Sequence, residues 1–201
     1  MQATNLGICF RKLFITEAKS GSAINVPGFK PFISKLGRDH GKRGGVCLLV
    51  KNWLKSYINR VDTSLCDQIW ISFRIFPNVL FGSFYLPPRD SPYFDEDMIA
   101  SVHQRILLNE GKRFVLLSDF NCKFGRNISN FDTRIRDKLT DLGVVVSRGA
   151  SKDPNRTCNA NGKDILNLCE NCNLYPLNNA VIDGKSMEGN LTFKEIQAMV
   201  F

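Results

Sequence analysis

The segment 116–127, LLSDFNCKFGRN, places a carboxylate and an amide at the end of an apolar run. The carboxylate of Asp119 can bind a divalent metal or orient a nucleophilic water, and the amide of Asn121 can donate to a phosphate oxygen without adding charge. Side chains alternate along a strand, so the two are expected to share a face at its carboxyl end, where sites tend to form. Arg126 follows closely enough to contact a second phosphate. An Asp/Asn turn that caps a strand explains the spacing equally well.

The elements around this segment predict α/β or α+β architecture with packed sheets, because strands outnumber helices and helices separate some of them. Apolar residues at helical spacing predict helices at 94–112 and 162–173. Apolar runs predict strands at 5–10, 45–51, 67–75, 78–88, 113–120, 174–178 and 189–193. Pro77 and Asn78 are expected in the turn of a hairpin formed by the third and fourth of these strands.

The composition is that of a globular, basic protein. Hydrophobic residues make up 43% of the 201 residues, and 27 basic against 19 acidic residues give a net charge of +8. This balance favours an anionic partner, nucleic acid first and an acidic membrane second. The glycine-rich loop 37–45 contributes Arg38, Lys42 and Arg43. A soluble domain with a basic surface is an equally simple explanation.

The seven cysteines are odd in number, and several lie in apolar runs, which predicts free thiols in a reducing compartment. Cys169 and Cys172 form a lone pair far in sequence from His40 and His103, which favours helix packing over a metal site. No run of about 18 apolar residues exists, and residues 1–14 do not form a secretory signal. We therefore expect an intracellular protein, nuclear or cytoplasmic, without a membrane span.

The stretch VLLSDFN resembles the GDFN motif of the endonuclease/exonuclease/phosphatase superfamily, with Ser118 in place of the usual glycine. The resemblance extends over residues 8–193 and is closest to the endonuclease domain of non-LTR (LINE-type) retrotransposons, rather than to the phosphatase or phospholipid branches. Five further segments follow in that domain's order and spacing: INVPGFKPF (24–32), GKRGGVCLLVK (41–51), FGSFYLPP (81–88), NGKDILNLCENCNLYPLNN (161–179) and LTF (191–193).

The resemblance implies a single domain over residues 1–201, folded as a four-layered, DNase I-like α/β sandwich. Members of this family use Mg²⁺ and a water molecule to hydrolyse a phosphodiester and nick target DNA. DNA is therefore the partner, and Mg²⁺ the cofactor, that the resemblance implies for this chain.

The resemblance also implies roles for individual residues. Tyr85 would contact the scissile phosphate, Asp119 would orient the attacking water with a histidine partner, and Asn121 would hold the phosphate. Arg126 matches a basic residue of the following loop. Asn161 lies in a segment that precedes a helix, where a helix-capping role and a functional role both stay open.

The sequence departs from the family pattern in three places. The first strand, with its asparagine near the metal, and the C-terminal SDH segment, with the catalytic histidine, are expected to be missing. Lys12 falls where the family has its metal-binding glutamate, and a lysine there would repel Mg²⁺. Glu17, the nearest acid, comes five residues too late. We therefore expect no metal ligands, weak or absent catalysis, and unpaired sheet edges that make the protein marginally stable and prone to aggregate.

Three other hypotheses stay open beside this inactive or weak family member. One is an active Mg²⁺-dependent nuclease in which Glu17 or another acid replaces the missing ligand. Another is a non-catalytic nucleic-acid-binding module that uses the loop Arg38–Arg43 and the positive charge. The last keeps the fold but acts on a phosphoinositide or a nucleotide, for which no lipid pocket is apparent in the sequence.

Overall fold

The structure is a computed structural model that describes residues 8–12, 24–34, 46–125, 127, 131, 133, 146–148, 157–176, 180–182, 185–186 and 197–200. It is a mixed α/β protein, as the sequence predicts. Two compact units divide the chain. The first unit comprises Met1–Tyr85 and Gly111–Asp119, and the second comprises Leu86–Glu110 and Phe120–Phe201. A single domain over residues 1–201 stays a prediction.

The first unit contains a three-stranded antiparallel sheet with the order β1-β3-β2. Its strands are β1 (Ile8–Lys12), β2 (Phe29–Ile33) and β3 (Val46–Lys51). The central strand β3 is buried from Val46 to Val50, which agrees with its continuous apolar run. Sequence analysis did not predict β2, because Pro31 interrupts it. As an edge strand, β2 tolerates a residue that lacks a backbone N–H donor.

A second sheet of the first unit follows a 3-10 helix at Asn52–Tyr57. It contains β4 (Ile58–Asp62), β5 (Gln68–Phe73), β6 (Phe76–Tyr85) and β7 (Arg113–Asp119) in this order. The pairs β4–β5 and β5–β6 are antiparallel, whereas β6–β7 is parallel. The parallel pair brings the carboxyl ends of β6 and β7 to the same edge.

The predicted hairpin between β5 and β6 is confirmed, but the position of its turn is wrong. Arg74 and Ile75 form the turn, and Pro77 and Asn78 lie inside β6. The register shifts between Ser72 and Phe73, so neither Pro77 nor Asn78 has a register partner on β5. A proline can therefore occupy this irregular stretch without removing a hydrogen bond of the ladder.

The two sheets of the first unit pack face to face around one hydrophobic core. The alternating residues Val46, Leu48 and Val50 of β3 face Ile69, Ile71 and Phe73 of β5, together with Phe81 and Leu54. The rings of Phe73 and Phe81 meet edge to face, with centroids 5.5 Å apart. The residues that enter this core alternate along each strand, which is the signature of one sheet face packed against another.

The second unit contains helix α1 (Asp97–Leu107), helix α2 (Ala160–Asn171) and two groups of short strands. The strands are β8 (Val146–Arg148), β9 (Tyr175–Pro176), β10 (Ala180–Ile182), β11 (Lys185–Ser186) and β12 (Gln197–Val200). Strand β10 pairs with β11 and β8, and β12 pairs with β9, all antiparallel. Both predicted helices are confirmed, with ends that shift by a few residues. The strand predicted at 189–193 lies outside the described residues.

Helix α1 buries Met98, Val102 and Ile106, four residues apart, as its amphipathic pattern predicts. Across the described ranges, no helix is both long and apolar enough to cross a membrane. The predicted nuclear or cytoplasmic compartment stays a prediction.

Candidate functional site

Tyr85 and Asp119 lie side by side at the carboxyl ends of β6 and β7. They are register partners in the parallel ladder, so their side chains leave the sheet on the same face. By alternation, Phe81, Val115 and Leu117 share this face, and all three pack in the core between the two sheets. Tyr85 also packs against that core, and both Tyr85 and Asp119 are half-buried. A phenol and a carboxylate therefore leave the same face of this sheet at the same edge, which we call the Tyr85–Asp119 rim.

Ser118 precedes Asp119 in β7, so its side chain points to the opposite face of the sheet. It is fully buried, and its Oγ donates a hydrogen bond to the Phe84 carbonyl on the neighbouring strand. This residue stands where the GDFN motif has glycine. The serine adds to the β6–β7 ladder a cross-strand hydrogen bond that glycine cannot make, next to the pair of Tyr85 and Asp119.

Asn121 lies beyond the end of β7 and adopts a left-handed backbone with φ +45°. The sequence predicts that Asn121 and Asp119 share one face of a strand. Because Asn121 lies outside the strand, side-chain alternation does not determine its direction. Asparagine is one of the few residues that accept this conformation readily. Within the second unit, its Nδ2 donates to the Leu86 carbonyl at 2.8 Å. The side chain thus ties the turn after β7 to the segment that follows β6.

Asn159 holds the same turn through several hydrogen bonds. Its Oδ1 accepts from the backbone N–H groups of Gly162 and Lys123, both at 2.8 Å, and its Nδ2 donates to the Asn121 carbonyl at 2.9 Å. It is the N-cap of α2. Sequence analysis missed this residue, although an asparagine three positions before Gly162 is a usual helix-start signal.

Asn161 is buried to 1% exposure, and its Nδ2 donates to the carbonyls of Pro87 (3.0 Å) and Phe120 (3.2 Å). The helix-capping alternative for Asn161 is wrong, because Asn159 provides the cap and Asn161 already lies inside α2. Asn161 instead joins the two segments that follow β6 and β7. We call Asn121, Asn159 and Asn161 the asparagine clamp.

Four predicted nucleic-acid contacts, Arg126, Arg38, Lys42 and Arg43, lie outside the described residues. Lys12 is the last residue of β1 and the register partner of Val46. The residue that the resemblance matches to the family's glutamate therefore lies in a strand of the first unit. Within the described ranges, no three His, Cys, Asp or Glu side chains come together as a metal site.

The cysteine pair of α2 agrees with a packing role. Cys169 is fully buried, whereas Cys172 is half-buried at the C-cap of the helix. Burial raises the pKa of the Cys172 thiol above its usual value.

Positive charge is concentrated in one unit of the chain. The first unit contains 14 basic and 5 acidic residues, a net charge of +9, whereas the second contains 13 basic and 14 acidic residues, a net charge of −1. The unit that carries Tyr85 and Asp119 therefore accounts for the whole excess of positive charge. This distribution suits a polyanionic partner of the first unit.

A separate cavity of about 320 Å³ lies in the second unit and is lined by both helices. At its wall, Arg89 forms an ion pair with Asp164 and its guanidinium lies 4.6 Å from the centre of the Phe94 ring. His103 also contributes to the lining. None of the residues that the sequence predicted for catalysis or binding lines this cavity. Its volume is at the lower end of small-molecule sites.

Neither the known protein-family models nor the curated proteins contain a match to this chain. The evidence on function therefore lies in the residues at the Tyr85–Asp119 rim and in the charge of the unit that holds them.

Proposed function

We propose that the chain is an endonuclease/exonuclease/phosphatase-type domain of retrotransposon origin, with the four-layered sandwich of that family. Its reaction class is Mg²⁺-dependent phosphodiester hydrolysis, which is weak or absent in this chain. The observation that carries the proposal is the pairing of Tyr85 with Asp119 at the carboxyl ends of two parallel strands. The packing of two sheets within the first unit supports the sandwich.

The chemistry of the rim supports a phosphodiester substrate. A half-buried carboxylate can accept a proton from a water molecule, and a phenol beside it can donate a hydrogen bond to a phosphate oxygen. The net charge of +9 on this unit attracts a polyanion. Asn121, Asn159 and Asn161 act on the turn that follows Asp119, and we propose that they fix its backbone.

The donor set does not fit Mg²⁺ in this chain. Mg²⁺ binds through carboxylate oxygens and water, and it would stabilise the charge of the phosphodiester when bound. Asp119 supplies one carboxylate, but Lys12 occupies the position that aligns with the second. Because an ammonium group repels a divalent cation, we expect little metal binding and assign no hydrolytic step to it.

A plasmid-nicking assay tests this proposal. Wild-type protein is incubated with supercoiled plasmid in Mg²⁺ or in EDTA, beside Asp119→Ala and the control Asp90→Ala, which removes a carboxylate from an exposed turn. We expect slow nicking at most, with any Mg²⁺-dependent part lost in Asp119→Ala and kept in Asp90→Ala. Nicking that persists in both EDTA and Asp119→Ala would contradict the assigned site.

A second candidate function is non-catalytic binding of nucleic acid, which the concentration of charge in the first unit favours. Such binding depends on phosphate contacts, and it should therefore weaken steeply with salt. We expect affinity for duplex DNA that survives EDTA and Asp119→Ala, with a logarithmic salt slope of several units. Fluorescence anisotropy between about 50 and 200 mM NaCl measures the slope. A flat salt profile would exclude this function.

A further inference from the structure

The 3-10 helix Asn52–Tyr57 presents two aromatic side chains to solvent. Trp53 is 55% exposed and Tyr57 is 41% exposed, whereas Leu54 is the one buried residue among the six. Tryptophan side chains are highly buried on average, and tyrosine is intermediate. Two exposed aromatic rings in one short helix are therefore a candidate contact surface.

Basic residues lie in the helix that carries these rings and at its two ends. Lys51 precedes the helix, and Lys55 lies between Trp53 and Tyr57 in the sequence. Arg74 meets the end of the helix from the β5–β6 turn: its guanidinium donates to the Ser56 carbonyl and its backbone N–H donates to the Tyr57 carbonyl at 2.7 Å. We call Lys51, Trp53, Lys55, Tyr57 and Arg74 the aromatic–basic surface.

This surface lies far from the Tyr85–Asp119 rim. Arg74 belongs to the turn before Phe76, where β6 begins, and Tyr85 is the last residue of the same ten-residue strand. At about 3.3 Å per residue, the two ends of β6 are about 30 Å apart. The aromatic–basic surface is therefore distinct from the proposed phosphodiesterase site, although both belong to the unit of charge +9.

The chemistry of the surface matches unpaired nucleotides. Exposed aromatic rings stack on bases of any sequence, and interleaved lysine and arginine side chains contact the phosphates between them. In a duplex the faces of the bases are already stacked, so the rings would find no partner there. An anionic membrane requires a broad apolar face. Leu54, the one aliphatic residue of this helix, packs in the core cluster, and the turn at Arg74–Ile75 adds one aliphatic side chain, Ile75, at 40% exposure.

We propose that the aromatic–basic surface binds single-stranded nucleic acid, with bases stacked on Trp53 and Tyr57 and phosphates held by Lys51, Lys55 and Arg74. This binding goes beyond the proposed hydrolase function and does not use Asp119. It gives the first unit two nucleic-acid contacts at opposite ends of β6.

The test is a titration of the full chain with fluorescein-labelled oligodeoxythymidine or oligouridine of about 12 nucleotides. Trp53→Leu keeps an apolar side chain but removes the aromatic face, and we expect it to weaken binding about 5- to 100-fold. Trp53→Phe keeps a stacking face and should bind nearly as the wild type does. Lys55→Gln should lower the logarithmic salt slope by about 1.

Two controls separate this surface from the rest of the chain. Leu108→Ala, which truncates a 73% exposed side chain of the second unit, should leave the affinity for single strands unchanged. The protein contains two tryptophans, and Trp70 is buried. Quenching of tryptophan fluorescence by the unlabelled oligonucleotide should therefore come from Trp53 and should disappear in Trp53→Phe.

The proposal is overturned if Trp53→Leu, shown to be folded by circular dichroism, binds the oligonucleotides as tightly as the wild type. It is also overturned if the wild-type tryptophan fluorescence does not respond to single strands, a result that needs no variant. Emission that shifts with phosphatidylserine vesicles and not with oligonucleotides would assign the surface to a membrane instead. Equal affinity for both oligonucleotides supports stacking, which does not depend on the sugar.

Discussion

At the scale of single residues, the asparagine clamp holds the turn that follows β7 through hydrogen bonds to its backbone. Asn159 satisfies two backbone N–H groups and donates to the Asn121 carbonyl, and a Cβ at Gly162 would overlap the Lys123 carbonyl. We expect Asn159→Ala to lower the free energy of unfolding by about 2 kcal/mol, because the helix cap and the bonds to the turn are lost together. Urea denaturation measures this change.

The control for this prediction is Asn167→Ala, which removes an exposed asparagine from the same helix and should cost less than about 0.5 kcal/mol. Asn159→Asp keeps the accepting oxygens but loses the donor to Asn121, so its cost should fall between those of the two alanine variants. Equal stability of Asn159→Ala and Asn167→Ala would show that the clamp does not stabilise the protein.

At the scale of elements, Gly82 allows the central strand β6 to pack between its two neighbours. Its register partners are Trp70 on β5 and Leu116 on β7, and an added Cβ would lie 2.6 Å from the Trp70 ring and 2.9 Å from Leu116. We expect Gly82→Ala to destabilise the protein by about 1–3 kcal/mol through overpacking. In a Trp70→Leu background the same change should cost less, which a double-mutant cycle measures.

Ser83→Ala is the matched control on the next residue of β6. Ser83 is buried, and its Oγ has no hydrogen-bond partner among the described residues, so its removal should be neutral or slightly stabilising. A Gly82→Ala variant as stable as Ser83→Ala would contradict the close packing of Trp70 against β6.

The helices and strands also show how much of the fold the sequence predicts. Strands β3, β5 and β7 have clear apolar runs and both helices have apolar periodicity, and their predictions are confirmed within a few residues. Strand β2 escaped prediction because Pro31 carries a turn signal that an edge strand tolerates. The sequence predicts the hairpin turn at Pro77 and Asn78, whereas it lies at Arg74–Ile75. Pro77 and Asn78 fit inside β6 because the register with β5 shifts between Ser72 and Phe73, and such a shift depends on how the strands pair.

The candidate site was predictable only in part. The sequence predicts that Tyr85 and Asp119 each lie near the end of a strand. It does not predict that the two strands are parallel neighbours, which is what makes these residues register partners. Asn121, Asn159 and Asn161 form their hydrogen bonds through backbone carbonyls and amides distant in sequence. No periodicity encodes such contacts, because they depend on how the turns after β6 and β7 approach helix α2.

At the scale of the whole molecule, charge is unevenly distributed, with +9 on the first unit and −1 on the second. The first unit also carries the Tyr85–Asp119 rim, the aromatic–basic surface and Lys12. We therefore place both proposed nucleic-acid contacts on this unit. We propose that Asp119 is half of a phosphodiesterase metal site in which Lys12 replaces the acidic partner.

The most direct test of this claim is Mn²⁺ binding, with Mn²⁺ as a spectroscopic substitute for Mg²⁺, measured by electron paramagnetic resonance. The variants are wild type, Lys12→Glu, Lys12→Glu with Asp119→Ala, and Lys30→Glu as a charge-matched control on strand β2. We predict that Lys12→Glu gains a bound Mn²⁺ that needs Asp119, whereas wild type and Lys30→Glu bind little. No gain in Lys12→Glu, or a gain that survives the loss of Asp119, would contradict the account.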